Sequence, residues 1–387
     1  MRIVHVLERS VPISRYAEPA LESGGLTTSI VALRTDVVRN GKPVVGYGFS
    51  SIGRFAQSGL IRERFTPRLL AANDKQLADD AGTNLDPFRA WHVMLRGEKP
   101  GGHGERCVAV GTLDMAIWDA AAKIAGLPLH RFIVTLFPTA RPNDRVAVYA
   151  AGGYVYPYDD VRRLEDELRA FLELGYRRAK IKIGSLPLDQ DVLRIESARR
   201  VLGSGGCLAV DAMNAYGARD SLDAAARLAP YRLWWFEDVC DPLDFETQSR
   251  VTRAYDGPVA AGEALFSAAE ARLLDLHGGL RHDRDILLFD PVHCYGLPGY
   301  MQIREIFERS GWPRSAFWPH GGHLFSLHIA AAFGLGGAEV NPFAFAPFGG
   351  LTDGAVVSEG FVTPPEAPGV GFEAKSELGR LMQTLDA

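Results

Sequence analysis

Cysteine is scarce in this chain, and its spacing is uninformative. Cys107, Cys207, Cys240 and Cys294 are spread over 387 residues with no C-x-x-C pair. That pattern offers neither a zinc ligand set nor a disulfide framework, so reduced thiols are expected. Basic charge is not in excess either. The formal net charge of −5 provides no basic face for a nucleic acid. No apolar run approaches the roughly 20 residues needed to span a bilayer, so no membrane partner is expected. Residues 1–9 are broken early by Arg2, Glu8 and Arg9, unlike a secretory leader, and a soluble cytoplasmic protein is expected. A Gly-rich phosphate loop is also missing, because Gly152-Gly153 is too short for that fingerprint. What remains is an ordinary globular composition, 47% hydrophobic and 23% charged. The length suits two domains, or a large barrel with a smaller companion.

The first third reads as an α+β unit. Residues 27–33 and 44–49 alternate in the manner of strands. Between them Asn40-Gly41 supplies residues that accept positive φ, as a hairpin turn requires. Residues 14–25 read as a mobile loop. From 66 to 125 the pattern turns helical. It is clearest where Val108, Leu113, Ile117, Ala120, Ala121 and Ile124 recur near the helical period, before Gly126 and Pro128 stop it. Beyond Arg145 short β-rich runs alternate with helical stretches such as 161–174 and 188–202. The runs lie at 147–151, 179–183, 207–211, 233–237, 259–263, 286–290, 316–320 and, more weakly, 338–340. Eight β-then-α units imply a closed parallel barrel of the (β/α)8 type. A doubly wound open sheet would want fewer units.

In such a barrel the C-terminal strand ends face the active site. Five successive runs end in, or nearly in, an ionisable residue: Lys182, Asp211, Glu237, Glu263 and Asp290. A sixth ends at His320. The steps between them are 29, 26, 26, 27 and 30 residues, each about one βα unit. Asp211, Glu237 and Glu263 would converge from adjacent strands. Three convergent carboxylates repel one another unless a cation neutralises them. All-oxygen ligation favours a hard ion, Mg²⁺ before Mn²⁺. Capping of separate helices would explain one such acid, but not three in consecutive units. Asp238 reads as a partner of the trio or as a helix cap. Lys180 and Lys182 stand two apart on one strand, so both point into the barrel. Neighbouring positive charge is expected to depress such an amine and make it a base near neutral pH. His320 and Asp290, on neighbouring strands, are expected to pair. Lysine on the second strand and histidine on the seventh would face each other across a ligand. One would remove a proton, and the other would deliver one to a leaving group.

With these residues in place, the chain resembles the mandelate racemase subgroup of the enolase superfamily over nearly its whole length. The markers are Lys180-Ile181-Lys182, the Asp211/Glu237/Glu263 trio and the Asp290–His320 pair. The helix at 110–119, Lys123, Pro128-Leu129 and the closing stretch 368–372 are similar too. The resemblance implies an α+β capping domain over 1–140 that supplies specificity loops. It implies a modified TIM barrel over 141–345 and a C-terminal segment, 346–387, that returns to the cap. It implies Lys182 as base with Lys180 modulating it, His320 with Asp290 as acid, and Mg²⁺ on the trio holding a substrate carboxylate. Cycloisomerases and dipeptide epimerases of the superfamily carry a lysine on the sixth strand, where this chain has none. An amidohydrolase would want His-x-His at 147–151, also absent.

Residues 59–65, 98–106, 236–243 and 319–323 resemble tartrate dehydratases within the subgroup. That likeness implies that Lys99 reaches toward the second carboxylate of a diacid. It also implies that Glu339, Ile52 and Met213 border the substrate. Met213 stands where the family has Asn, Ala264 where the tartrate pattern has Asn, and Ile52 where a polar contact is expected. Each exchange removes a hydrogen-bonding group and favours a different or less polar acid. The expected activity is dehydration of a small hydroxy acid, hydroxy diacid or acid sugar to a 2-keto acid. The alternatives are racemisation, with Lys182 and His320 on opposite faces, and acid binding without turnover. A homo-oligomer, dimer or octamer, is implied by the resemblance.

Overall fold

The computed structural model describes residues 1–17, 25–138, 140–203 and 205–385. The chain begins with an antiparallel sheet ordered β1 (Ile3–Pro12), β2 (Thr27–Arg39) and β3 (Lys42–Phe49). Asn40 and Gly41 turn β2 into β3 at φ 51° and 76°, the conformation a two-residue hairpin needs. Residues 18–24 of the expected 14–25 loop lie outside the described residues.

Helices α1 (Thr66–Ala71), α2 (Asp74–Leu77), α3 (Pro87–Leu95), α4 (Glu105–Ala125) and α5 (Leu129–Leu136) follow. α4 ends where Gly126 adopts φ 68°, the left-handed conformation that glycine tolerates. It is buried on nearly every side because it lies between two layers. On one side is β3. A Cβ on Gly46 would sit 2.0 Å from the Ala116 carbonyl oxygen, so only glycine permits this approach. On the other side is the loop that follows Asp290. A Cβ on Gly111 would fall 1.8 Å from the Val292 carbonyl oxygen, and the Leu297 N–H donates to Asp114 at 2.8 Å. The N-terminal unit is therefore seated directly against a barrel loop.

Asp119 ties three parts of the molecule together. Its buried carboxylate accepts the Tyr47 N–H at 2.9 Å, the Val370 N–H at 2.7 Å and the Lys123 ammonium at 2.6 Å. Lys123 also donates to the Val45 carbonyl at 3.0 Å. The closing segment is zipped to the start of α5, where the Leu129 N–H donates to Gly369 at 2.8 Å. Removing Asp119 leaves two buried N–H groups without their partner and Lys123 with Glu373 as its remaining counter-ion. Asp119→Ala is expected to destabilise the fold by about 3–5 kcal/mol, read as a lower urea midpoint.

The same segment carries a pH dependence. In α12 (Leu324–Phe333), His328 Nε2 donates to the Val370 carbonyl at 3.0 Å, and its Nδ1 accepts the His130 N–H at 3.2 Å. The bond at Nδ1 requires the neutral ring, because a protonated Nδ1 has no lone pair to accept with. Burial, then the stacked His130, lowers His328 to about 3. An unfolded histidine takes its proton near 6.5. Between those values the unfolded chain binds more protons, so stability is lost as pH falls through that window. His328→Gln should be less stable at pH 7 but lose less of its urea midpoint between pH 7 and pH 5 than the wild type.

Beyond residue 145 a parallel sheet curls through β4 (Val146–Ala151), β5 (Ala179–Lys182), β6 (Leu208–Asp211), β7 (Phe236–Glu237), β8 (Val259–Ala261) and β9 (Ile286–Leu287). β10 (Ala338–Val340) returns beside β4. Helices α6 (Asp160–Glu173), α7 (Leu188–Leu202), α8 (Ala218–Leu228), α9 (Phe245–Ala254), α10 (Ala268–His277) and α11 (Leu297–Arg309), with α12, alternate with the strands. α13 (Ser376–Gln383) follows the closing segment. This is an α/β barrel of TIM type with an N-terminal cap. The expected run at 316–320 is not a full strand. Only Phe317 bridges, to Leu287, with the Trp318 N–H donating to the Leu287 carbonyl at 2.9 Å; on the other edge, toward β10, Pro319 has no N–H to offer. β11 (Phe361–Val362), absent from the expected runs, pairs antiparallel with β4. No helix among the described residues is long and apolar enough to cross a membrane.

Strand parity sorts the side chains into two groups. Ile181, Ile183, Val210, Phe236, Leu287 and Phe289 join the large core shared with the helices. Tyr149, Ala209, Trp235, Ala260, Leu288 and Trp318 form a separate inner cluster. These side chains plug the barrel. Two residues further along the same chains stand Asp211, Glu237, Asp290 and His320, at the C-terminal mouth above a packed floor.

Candidate active site

Asp211 and Glu237 end β6 and β7 and pair across the parallel ladder; Glu263 lies two residues past β8. One oxygen from each lies within 4.8 Å of the other two. Asp211 Oδ1 accepts the Met213 N–H at 2.8 Å, and Glu237 Oε2 accepts Trp235 Nε1 at 2.7 Å. Each therefore keeps its second oxygen for the mouth. Glu263 Oε2 is buried without a hydrogen bond, 3.2 Å from His320 Nε2. Asp238 is buried beside the trio. Burial first, then Glu263, Asp211 and Glu237, hold it well above the usual carboxylate range. It caps no helix, since Asp244 caps α9 through the Thr247 N–H. Burial pushes Glu237 up to about 8, with Lys180 opposing and Asp211 reinforcing. Hard oxygen donors, a buried carboxylate oxygen without a hydrogen bond and excess negative charge fit a divalent cation. Asp211, Glu237 and Glu263 are the residues that would hold it.

Lys180 and Lys182 point into the barrel, 0% and 7% exposed. Lys180 donates to Glu237 Oε1 at 2.5 Å and Glu339 Oε2 at 3.0 Å, while Lys182 donates to Asp211. The expectation of depressed amines is not met. Burial lowers both, but Glu237 and Glu339 outweigh it at Lys180, and Asp211 does so at Lys182. Both are held above the usual lysine value because the trio's own carboxylates serve as their counter-ions. Glu339 lies among these groups. Burial would raise it, yet Lys180, His320 and Lys182 draw it down to about 2, and the Tyr149 hydroxyl donates to it at 2.8 Å.

His320 Nδ1 donates to Asp290 Oδ2 at 2.9 Å. The other oxygen of Asp290 accepts the N–H groups of Val292 and His293 at 2.7 and 3.2 Å. Ser51, from the cap, donates to Oδ2 at 2.6 Å and accepts from His323 Nε2 at 2.9 Å. Its φ of 60° is uncommon for a residue with a side chain. Burial would lower His320, but Glu263, Glu339 and the bond to Asp290 raise it to about 9. A histidine protonated at neutral pH is poised to give up a proton.

The four residues expected to border a substrate are placed differently from one another. Glu339 is at the centre, as described. Ile52 is buried in the large core, just before Gly53 and Arg54. The Arg54 guanidinium lies 4.7 Å over the Phe266 ring, which packs against His293. Met213 is exposed at φ 48°, and its neighbour Asn214 turns its amide to the Cys240 carbonyl at 2.8 Å, away from the trio. Lys99 is exposed. Its carbonyl accepts from Arg106, which also donates to the Tyr295 hydroxyl at 2.9 Å. Sequence reasoning missed Ser51, His293 and Arg54. The three-residue step from Asp290 to His293 was the one signal available.

The family described as enolase C-terminal domain-like matches residues 163–378. Arabinonate dehydratase of Saccharolobus solfataricus is 24% identical over 361 residues, covering 91% of each chain. The structure of L-talarate dehydratase from Polaromonas sp. JS666, complexed with Mg and L-glucarate, is similar with a TM-score of 0.72 at 24% identity. That match covers 96% of this chain and 94% of the other. A racemase from Streptomyces coelicolor A3(2) with bound magnesium gives 0.76 at 24% identity, covering 98% and 99%. At such identities the solved structures establish the fold.

Proposed function

Because the chain belongs to the enolase superfamily, through its enolase C-terminal domain-like region, we propose that it is a magnesium-dependent dehydratase of a hydroxy acid, hydroxy diacid or acid sugar. What carries this reading is the meeting, at one barrel mouth, of three carboxylates, two buried lysines and a histidine raised to about 9. The dehydratases of Saccharolobus solfataricus and Polaromonas support the reaction class by their names, and the magnesium in the Polaromonas complex supports the choice of ion.

Asp211, Glu237 and Glu263 would hold Mg²⁺, which when bound supplies positive charge where negative charge develops on the substrate carboxylate. The trio's oxygens are also the counter-ions of Lys180 and Lys182. A divalent cation sharing those oxygens would weaken what raises Lys182, whose carboxylate partner is Asp211, while Glu339 would still hold Lys180 charged and Lys180 would lower Lys182. Lys182 in its neutral form takes the α-proton. Asp290 keeps the Nδ1 proton of His320, so the proton given to the departing β-hydroxyl comes from Nε2. Water leaves, and the enol that remains tautomerises to a 2-keto acid.

Inversion by Lys182 and His320 on opposite faces is the second reading, kept open by the Streptomyces racemase. Elimination is placed first because the dehydratases of Saccharolobus solfataricus and Polaromonas support it by their names, and the hydrogen bond to Asp290 favours the charged form of His320. Ile52, Met213 and Ala264 add no hydrogen-bonding side chain to the mouth, so tartrate enters as one candidate among several acids. The test is a panel of aldonic and aldaric acids with D-, L- and meso-tartrate, assayed with Mg²⁺ and semicarbazide. Keto acid from at least one member supports dehydration. Saturable binding with no product from any member would support an acid-binding protein instead.

A further inference from the structure

We propose that the barrel mouth carries a second metal site, made of nitrogen as well as oxygen, in which Asp290, His293 and His320 bind a borderline divalent ion of the Zn²⁺ class. One ligand atom from each of the three lies within 4.8 Å of the others, and all three residues are buried. Asp290 Oδ2 stands 2.9 Å from His320 Nδ1 and 3.7 Å from His293 Nδ1. Zinc bonds of about 2.0–2.1 Å in a tetrahedron put ligand atoms roughly 3.3–3.4 Å apart, so the two separations bracket what such an ion needs. The other oxygen of Asp290 is committed to two backbone N–H groups, which aims Oδ2 at the rings.

His293 is the independent sign of a ligand. It is 1% exposed, yet neither of its ring nitrogens has a hydrogen-bond partner. Buried polar groups are normally satisfied, and an exception calls for a partner such as an ion. The donor chemistry also separates this site from the trio. Three carboxylates suit Mg²⁺, whereas two imidazoles and one carboxylate rank Zn²⁺, Co²⁺ and Ni²⁺ far above it. The sites share no residue. Binding displaces the Nδ1 proton of His320 to solvent and replaces the hydrogen bond that orients the ring. Under the dehydratase reading, on which this consequence alone rests, such an ion inhibits the enzyme.

The test measures binding, so it stands whether or not the reaction is a dehydration. The full chain is dialysed against Zn²⁺ in excess Mg²⁺, and metal content is measured. Wild type should retain one Zn²⁺ per chain. Glu237→Gln should retain it as well, while His293→Phe and Asp290→Asn should bind it at least about tenfold more weakly, within the range seen when a metal site loses a supporting group. Co²⁺ provides a spectroscopic check. A mixed nitrogen and oxygen site of low coordination number gives a strong visible band that an all-oxygen octahedral site lacks, and the band should vanish in His293→Phe. If His293→Phe fails to fold, Asp290→Asn decides. No Zn²⁺ retained by wild type, loss of Zn²⁺ from Glu237→Gln, or wild-type affinity in the folded His293 and Asp290 variants would each overturn the proposal.

Discussion

Lys182→Ala should lower kcat/KM by about 10²–10⁴-fold, the range that a positioned general base contributes, and should abolish exchange of the substrate α-proton in deuterated water. Lys182 is the buried amine on Asp211 at the end of β5, with its partner Lys180 held by Glu237 and Glu339. Removing it leaves no second amine free to reach the same proton. The ligands of the trio are untouched, so Mg²⁺ should still bind, and calorimetric titration with Mg²⁺ checks this. Exchange that persists in Lys182→Ala would make His320, or another group, the base.

The second large effect is at the metal. Chelation should bring turnover of the wild type to background, and excess Mg²⁺ should restore it. Glu237→Gln should lose at least about 10²–10³-fold, the loss seen when one electrostatic stabiliser is removed from an active site, and added Mg²⁺ should recover little of it. Two defects combine in that variant. A hard ion loses one of three carboxylates, and Lys180 loses the partner now 2.5 Å away. A Mg²⁺ titration of rate separates them, because weaker binding alone would be rescued at high Mg²⁺. Full activity in chelator would remove the metal from the reaction altogether.

The groups that could be placed from the sequence share one property: they lie on period-two runs that repeat once per βα unit. Lys180, Lys182, Asp211, Glu237, Asp290 and His320 could be assigned a direction and an end of the barrel for that reason. The turn at Asn40-Gly41 and the stop at Gly126 were legible because few residues accept positive φ. Ser51, His293 and Arg54 were not legible. They reach the mouth through the docking of α4 and the cap on residues 290–297, and no local pattern encodes that docking. The apolar residues of 316–320 signal burial, whereas pairing toward β10 needs an N–H that Pro319 lacks. The lysine electrostatics went the opposite way because neighbouring cations were weighed without the carboxylates in direct contact with them.

The most direct measurement is an NMR assay in deuterated water with Mg²⁺, following label in the acid that turns over. Removal of the α-proton followed by loss of the β-hydroxyl gives a 2-keto acid that carries solvent deuterium on the carbon that lost the hydroxyl. Deuterium on the α-carbon of an acid that keeps both hydroxyls would contradict elimination and identify an epimerase. Keto acid with no solvent label anywhere would contradict proton transfer at this mouth as the source of the chemistry.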